Sequence, residues 1–292
     1  MPKTPLITGA TGAVGSALVL ALADVGVRPR AFVRDAEKAR TMLGDNADIV
    51  VGDLADPDAV RNAMAETDAL FLACGNLPDQ VALESRAIDA AHAGGVARIV
   101  KLSARGAALD AGAAYWRGHA AIEEHLIASG LTAVVLRPSF YMSNLLAAAG
   151  PVRTHGLLPA AAGRAPIAMI DPADVAAVAA RALIDDAIGG GTLHLSGPEA
   201  LTYDQVARHL SDVTGRDVTY VDVPPEAACQ AMTANGVPEP MARRVLEVFA
   251  SLRGGDDART SDVVQQVTGR PASTFADFAR CHASAFADLV NR

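Results

Sequence analysis

The sequence predicts an α/β fold, a doubly wound parallel sheet followed by a smaller, mostly helical C-terminal lobe. Three observations predict it. Residues 5–23 read as a strand, a glycine turn and a helix. From residue 29 to Pro138, short apolar runs alternate with helical segments, the pattern of a parallel sheet covered on both faces. Beyond Pro138 that alternation loosens into a Gly-, Pro- and Ala-rich connector and then a series of helices.

In the opening unit, Leu6, Ile7 and Thr8 form the strand, while Val14, Leu18, Ala21 and Leu22 fall on one helical face. Gly9, Gly12 and Gly15 make the turn between them. The first glycine permits a tight bend, the second lets backbone amides approach a pyrophosphate, and the third brings helix against strand. The helix N-terminus adds partial positive charge for phosphates. A glycine triplet alone is a weak signal, but here a strand precedes it and a helix follows. The unit is Rossmann-type, with a dinucleotide as its natural ligand.

Pro29 to Val33 is a second strand, ending at Arg34 about twenty residues past the glycines, where such folds meet the adenosine ribose. An acid there takes ribose hydroxyls, whereas an arginine pairs with a 2′-phosphate, so Arg34 favours NADP over NAD. Two alternatives stand beside it: a solvated arginine with Asp35 capping the next helix, or Asp35 binding the ribose of NAD. Ile49 to Val51 form a third strand that delivers Gly52, Asp53 and Leu54. Asp53 is either an acceptor for the adenine amino group or a turn aspartate before the helix at Pro57. The fourth strand, Ala69 to Ala73, leads into Cys74, Gly75 and Asn76, small groups over which a cofactor can lie. A helix over about 80–93 precedes the fifth strand, Arg98 to Leu102, which delivers Ser103. A helix from about Ala113 to Ser129 and a sixth strand, Ala133 to Arg137, complete the core.

Residues 1–138 are therefore expected to be the dinucleotide-binding core, with 165–198 returning to it and 139–164 plus 199–292 forming the substrate lobe. In the later part, Ile167 to Ile170 reads as a strand. Asp171, Pro172 and Asp174 make a strong helix start, with both aspartates structural. A strand over Thr192 to Ser196 is expected to rejoin the sheet or its margin. Helices follow near 202–214, 225–234, 239–252 and 272–288, with a short strand around Val218 to Val221. Met241, Val245, Leu246 and Phe249 form an amphipathic stripe that packs the lobe, roofs a pocket or forms a dimer face.

Apolar residues make up 51% of the chain and charged residues 20%, which supports a large core and argues against disorder. A formal net charge of −8 with no basic run disfavours nucleic acid and anionic membranes as partners. Cys74, Cys229 and Cys281 lack metal or redox spacing, so no metal is expected and the thiols fit a reducing compartment. No leader or spanning segment is read, and the expectation is a cytoplasmic monomer or homodimer acting on a small molecule.

Ser103 ends the fifth strand, and Tyr115 and His119 sit at i and i+4 on one face of the next helix. The set resembles the Ser and Tyr-x-x-x-Lys residues of short-chain dehydrogenase/reductases, with histidine in the lysine position. In that family serine polarises the carbonyl, tyrosine passes the proton, and lysine binds the nicotinamide ribose and lowers the tyrosine pKa. A histidine with an ordinary pKa of about 6.5 is mostly neutral near pH 7 and assists tyrosine ionisation far less. Reducing an aliphatic ketone demands a tuned proton donor, whereas a quinone leaves a weakly basic phenolate. The altered set suits the second acceptor. The alternative is that Tyr115, Trp116 and His119 are packing residues.

The run Leu136-Arg137-Pro138-Ser139-Phe140-Tyr141-Met142-Ser143-Asn144-Leu145 resembles the NmrA-like group of atypical short-chain dehydrogenase/reductases, and most closely its bacterial NAD(P)H:quinone oxidoreductase branch. Arg34, Gly52-Asp53, Lys101-Leu102-Ser103 and Gly269-Arg270-Pro271 fit the same pattern. Ser139 departs from it, since relatives often carry glycine there. The resemblance implies a cofactor surface made of Gly9, Thr11, Gly12, Val14, Gly15, Arg34, Asp53, Leu54, Ala73, Cys74, Gly75, Ser103, His119, Pro138 and Phe140. It implies an acceptor pocket at Phe140, Tyr141 and Asn144, and Tyr115, His119 and Ser103 as catalytic residues. The expected activity is hydride transfer from NAD(P)H, NADPH being favoured, to a quinone-like or related conjugated acceptor. The alternatives are a non-catalytic NAD(P)-sensing regulator of the NmrA type and a pathway-specific reductase or isomerase of secondary metabolism.

Overall fold

A computed structural model of the chain describes residues 4–255 and 257–287. Its first half alternates strand and helix: β1 (Pro5–Thr8), α1 (Ala13–Ala23), β2 (Arg30–Val33), α2 (Ala36–Leu43), β3 (Asp48–Val51), α3 (Pro57–Met64), β4 (Ala69–Leu72), α4 (Gln80–Ala93), β5 (Arg98–Leu102), α5 (Ala114–Ala128) and β6 (Ala133–Pro138). There follow a 3-10 helix (Met142–Ala148), α6 (Ala149–His155), β7 (Leu157–Ala160), α7 (Pro172–Ile184), β8 (Gly191–Leu195), α8 (Tyr203–Thr214) and β9 (Thr219–Asp222). Helices α9 (Pro225–Ala234), α10 (Glu239–Arg253), α11 (Val263–Thr268), α12 (Phe275–Cys281) and α13 (Ala283–Phe286) close the described chain.

Seven strands form one sheet in the order β3-β2-β1-β4-β5-β6-β8, every pair parallel. Chain order reverses between β1 and β4, which opens a crevice beyond the carboxyl ends of the strands, the usual ligand position in such sheets. β1 and β4 are buried along their whole length, as strands covered on both faces must be. On one face Leu18 and Leu22 of α1 pack with Phe71, Val175, Ala179 and Leu183, so that α1 lies along α7. On the other, Leu70, Leu72, Ile88, Ile122 and Leu126 form a second cluster. β8 pairs with β6, so the segment carrying α7 and β8 belongs to the sheet layer. A third cluster, with Met142, Leu158, Leu210, Phe275, Phe278 and Phe286, builds the second lobe around the two-stranded β7-β9 sheet.

Helix starts follow the local chemistry. Asp35, Asp56 and Asp171 each cap a helix by accepting backbone N–H groups, and Pro57 and Pro172 follow at the first helical position. Asp174, fully buried, accepts from Arg270 Nη1 at 2.8 Å and Ser273 N at 2.7 Å, tying the distal segment to α7.

Three expectations from the sequence need correction. Residues 167–170 are not a strand: Ile167 bridges Leu201 in antiparallel sense and Ile170 bridges Tyr141 in parallel sense, so the two ends serve different partners and no ladder develops. The region read as a connector holds the 3-10 helix, α6 and β7, because β7 finds its partner more than fifty residues later in β9, beyond the reach of local patterning. The last helix, expected over 272–288, begins at Phe275 behind a Thr274/Asp277 capping box and breaks at His282, whose ring stacks on Phe278 with centroids 4.1 Å apart. Residue 288 lies outside the described residues, and α11 was not foreseen.

Among the described residues no helix is long and apolar enough to cross a membrane, and no group of three or more His, Cys, Asp and Glu side chains could hold a metal ion.

Candidate active site

A cleft of about 1770 Å³ runs along the carboxyl ends of the central strands and continues beneath α9 and α10. Pockets for one small ligand usually measure about 300–1,000 Å³, so this space suits a dinucleotide and a second molecule together. At one end lie Gly9, Thr11, Gly12, Val14 and Gly15. Gly9 has φ +63, in the left-handed region that favours glycine, and a Cβ added to Gly15 would lie 2.1 Å from the Gly9 carbonyl oxygen. The turn is therefore closed to any larger residue at these two points. Gly12 caps α1 with no side-chain hydrogen bond, so the first amides of the helix remain available for an anion. This cradle fits a diphosphate.

Arg34 lines the same cleft and is exposed, while Asp35 is engaged as the cap of α2, its Oδ1 accepting from Lys38 N at 3.0 Å. Asp53 and Leu54 also line the cleft, and Asp53 Oδ1 accepts from Ala55 N at 2.9 Å, a turn hydrogen bond that leaves its other oxygen open to the space. Ala73, Cys74 and Gly75 are held at the end of β4 by the buried Thr8. Its hydroxyl donates to Ala73 O at 2.8 Å and accepts from Ala73 N at 2.9 Å. Burial, reinforced by the charge of Glu84, pushes the Cys74 thiol up to about 11, so it is not a thiolate near neutrality.

Farther along stand Ser103, Tyr115 and His119, brought together by β5 and the first two turns of α5. Ser103 is buried and its hydroxyl donates to Glu123 Oε1. Glu123 is also gripped by Arg137, whose Nε lies 3.0 Å from Oε1. A carboxylate only accepts, so Ser103 presents lone pairs, not a proton, to the cleft. His119 is 9% exposed, and burial together with the Lys101 charge behind it holds its pKa well below the ordinary 6.5. Burial raises the pKa of Tyr115, with Arg244 opposing and Glu247 adding to the shift; the Arg244 guanidinium sits 5.8 Å from the ring centroid.

Pro138, Ser139, Phe140, Tyr141 and Asn144 form the floor beyond β6. Phe140 N donates to Asp257 Oδ2 at 3.1 Å, and its ring meets Phe249 of α10 with centroids 5.8 Å apart. Ser139 is buried and donates to Ala168 O. Burial raises the Tyr141 pKa, and its backbone joins Ile170. Met232, Met241, Val245, Leu246 and Phe249 roof this end with an apolar surface.

All the site residues read from the sequence thus line one cleft. The sequence reading gave no role to what stands behind and above it: Lys101, Glu84, Glu123 and Arg137 in the wall, and the α9 residues of the roof. The signal for the first group was available, because Lys101 interrupts the apolar run Ile99-Val100-Lys101-Leu102, and a buried charge requires a partner.

The parallel sheet, its order reversal and the uncapped glycine turn define a Rossmann-type dinucleotide-binding protein. The chain belongs to the NmrA-like family, whose model matches residues 1–273. It is 36% identical over 281 residues to an NAD(P)H azoreductase of Xenophilus azovorans, covering 96% of this chain and 98% of that one. It is 37% identical over 285 residues to a (4-alkanoyl-5-oxo-2,5-dihydrofuran-3-yl)methyl phosphate reductase of Streptomyces griseus, covering 97% and 99%. Among solved structures it is similar to an NADPH-dependent quinone oxidoreductase of Escherichia coli complexed with NADPH. That match has a TM-score of 0.85 and 28% identity and covers 96% of this chain and 99% of the other.

Proposed function

We propose that this NAD(P)H-dependent oxidoreductase uses NADPH to reduce a flat, apolar, conjugated acceptor of the quinone type. The observation that carries the reading is the single cleft, which joins a diphosphate cradle to an apolar chamber. When bound, the reduced coenzyme supplies a hydride. Gly9, Gly12, Gly15 and the first amides of α1 hold the diphosphate, and Arg34 pairs with the 2′-phosphate. Small groups at Ala73 to Gly75 leave room across the end of β4. His119 and Ser103 contact the nicotinamide end, and Phe140, Tyr141 and Asn144 receive the acceptor beneath the roof of α10.

Proton delivery separates acceptor classes. Tyr115 keeps its proton at neutral pH, and its pKa is displaced upward, away from that of a tuned general acid. A hydroquinone anion is weakly basic and takes its proton from Tyr115 or water without strong assistance, whereas an alkoxide does not. Coenzyme oxidation measured with quinones, azo compounds and aliphatic ketones tests this. Quinones should turn over, with Tyr115→Phe slowing them less than about tenfold, since general acid catalysis contributes about 10²–10⁴-fold where it is essential. Ketone reduction that collapses in Tyr115→Phe, or tight NADPH binding without turnover of any acceptor, contradicts the reading.

A further inference from the structure

Lys101 and Glu84 lie directly behind the cleft wall, and both side chains are fully buried, with Lys101 Nζ 2.8 Å from Glu84 Oε2. Glu84 Oε1 accepts from Gln80 Nε2 at 2.9 Å. Lys101 Nζ also donates to its neighbour's carbonyl, Leu102 O, and lies 3.3 Å from His119 Nδ1. Taking such a pair out of water is costly, and replacing one by apolar residues is often neutral or stabilising. Stability alone does not account for it.

An ammonium has three hydrogens and no lone pair. Here Nζ is ion-paired with Glu84 and lies within hydrogen-bond reach of Leu102 O and His119 Nδ1. His119 Nδ1 is therefore the bare, accepting nitrogen, and the ring proton resides on Nε2. We propose that Lys101 is a positioning residue that fixes His119 in its Nε2–H tautomer, so that the imidazole offers the cleft a hydrogen-bond donor and no lone pair. One turn further along α5, Glu123 does the reverse to Ser103, accepting the hydrogen bond its hydroxyl donates and leaving lone pairs on the cleft side. The wall thereby carries one donor and one acceptor of set polarity. That pairing complements a primary carboxamide, which presents a carbonyl oxygen beside an N–H. The last step rests on the nicotinamide end lying here, as proposed above; the tautomer assignment does not.

The charged surroundings of His119 support a ring that stays neutral. Lys101 approaches from β5 with Glu84 of α4 behind it, while on α5 itself Tyr115 and Glu123 lie one turn to either side, Glu123 being held by Ser103 and Arg137. Burial and the lysine both disfavour the imidazolium.

The test is a long-range proton–nitrogen correlation spectrum of nitrogen-15-labelled protein at neutral pH with no ligand added. His119 is assigned among the seven histidines by the loss of its signals in His119→Gln. The expected pattern is a protonated Nε2 and a bare Nδ1. In the Glu84→Gln/Lys101→Met double variant, which removes the pair together and leaves no lone buried charge, the two tautomers should mix and the NADPH Kd should rise about tenfold, the worth of one hydrogen bond of ordinary strength. If that variant does not fold, the wild-type spectrum still decides. A protonated Nδ1 or an imidazolium in the wild type, or a folded double variant with an unchanged spectrum, overturns the proposal. Failure of the functional reading looks different: an Nε2–H ring in a protein that binds no coenzyme.

Discussion

Arg34 and Asp35 are adjacent residues of opposite charge at the end of β2, and the cap of α2 engages only the second. The Asp35 carboxylate is already accepting the Lys38 amide, whereas Arg34 remains exposed along the cleft. Arg34→Ala should raise the Kd of NADPH about tenfold to about a hundredfold, the range of a charge-assisted hydrogen bond, with little change for NADH. Fluorescence titration with both coenzymes checks this, and equal losses would contradict it. His119 makes a second prediction. Its native pKa lies below the unfolded value of about 6.5, so the unfolded chain binds the proton more readily. Its contribution to stability is complete above about pH 6.5 and is lost as pH falls toward the native value. Denaturant unfolding should therefore show a decline in stability as pH falls below about 6.5 that is shallower in His119→Gln. At this scale the sequence was informative where position alone places a residue: strand ends for Arg34 and Ser103, helical spacing for Tyr115 and His119. It gave no proton direction for Ser103 or His119, because those depend on Glu123, one turn beyond His119 on α5, and on Lys101 of β5 with its partner Glu84 of α4, contacts that only the packed strands and helices bring together.

Among the elements, the β1-turn-α1 unit leaves the least room for change. Gly15→Ala drives a Cβ into the Gly9 carbonyl, where backbone and not a flexible side chain must yield. Overpacking of that kind costs about 1–3 kcal/mol, so the variant should unfold at lower denaturant and bind NADPH far more weakly; unchanged binding in calorimetry would refute the role given to the turn. The elements of the parallel sheet were legible because each is a short apolar run bounded by turn residues, and α4 and β5 match their expected bounds. The second lobe was less so. β7 depends on β9, residues 167–170 divide their pairing between Leu201 and Tyr141, and α12 ends where His282 turns back onto Phe278. Each outcome is decided by contacts distant in sequence, which override local propensity.

For the whole molecule, function depends on two cores built separately and a cleft that both line. The sheet layer supplies the glycine cradle, Arg34 and the Ser103–His119 wall, and the second lobe supplies the apolar roof carried by α9 and α10. The amphipathic stripe Met241, Val245, Leu246 and Phe249 shows how this joint escapes a linear reading: its spacing identifies an apolar face, and only the placement of α10 over Phe140 makes that face part of the cleft. In the proposed function, one continuous space holds coenzyme and acceptor in contact. Anaerobic stopped-flow mixing of the preformed NADPH complex with one equivalent of a quinone tests it most directly, by following nicotinamide absorbance in a single turnover. The predicted result is complete loss of the reduced-nicotinamide signal with one hydroquinone formed per coenzyme. Persistence of that signal, with NADPH demonstrably bound and the quinone unreduced, would contradict the claim.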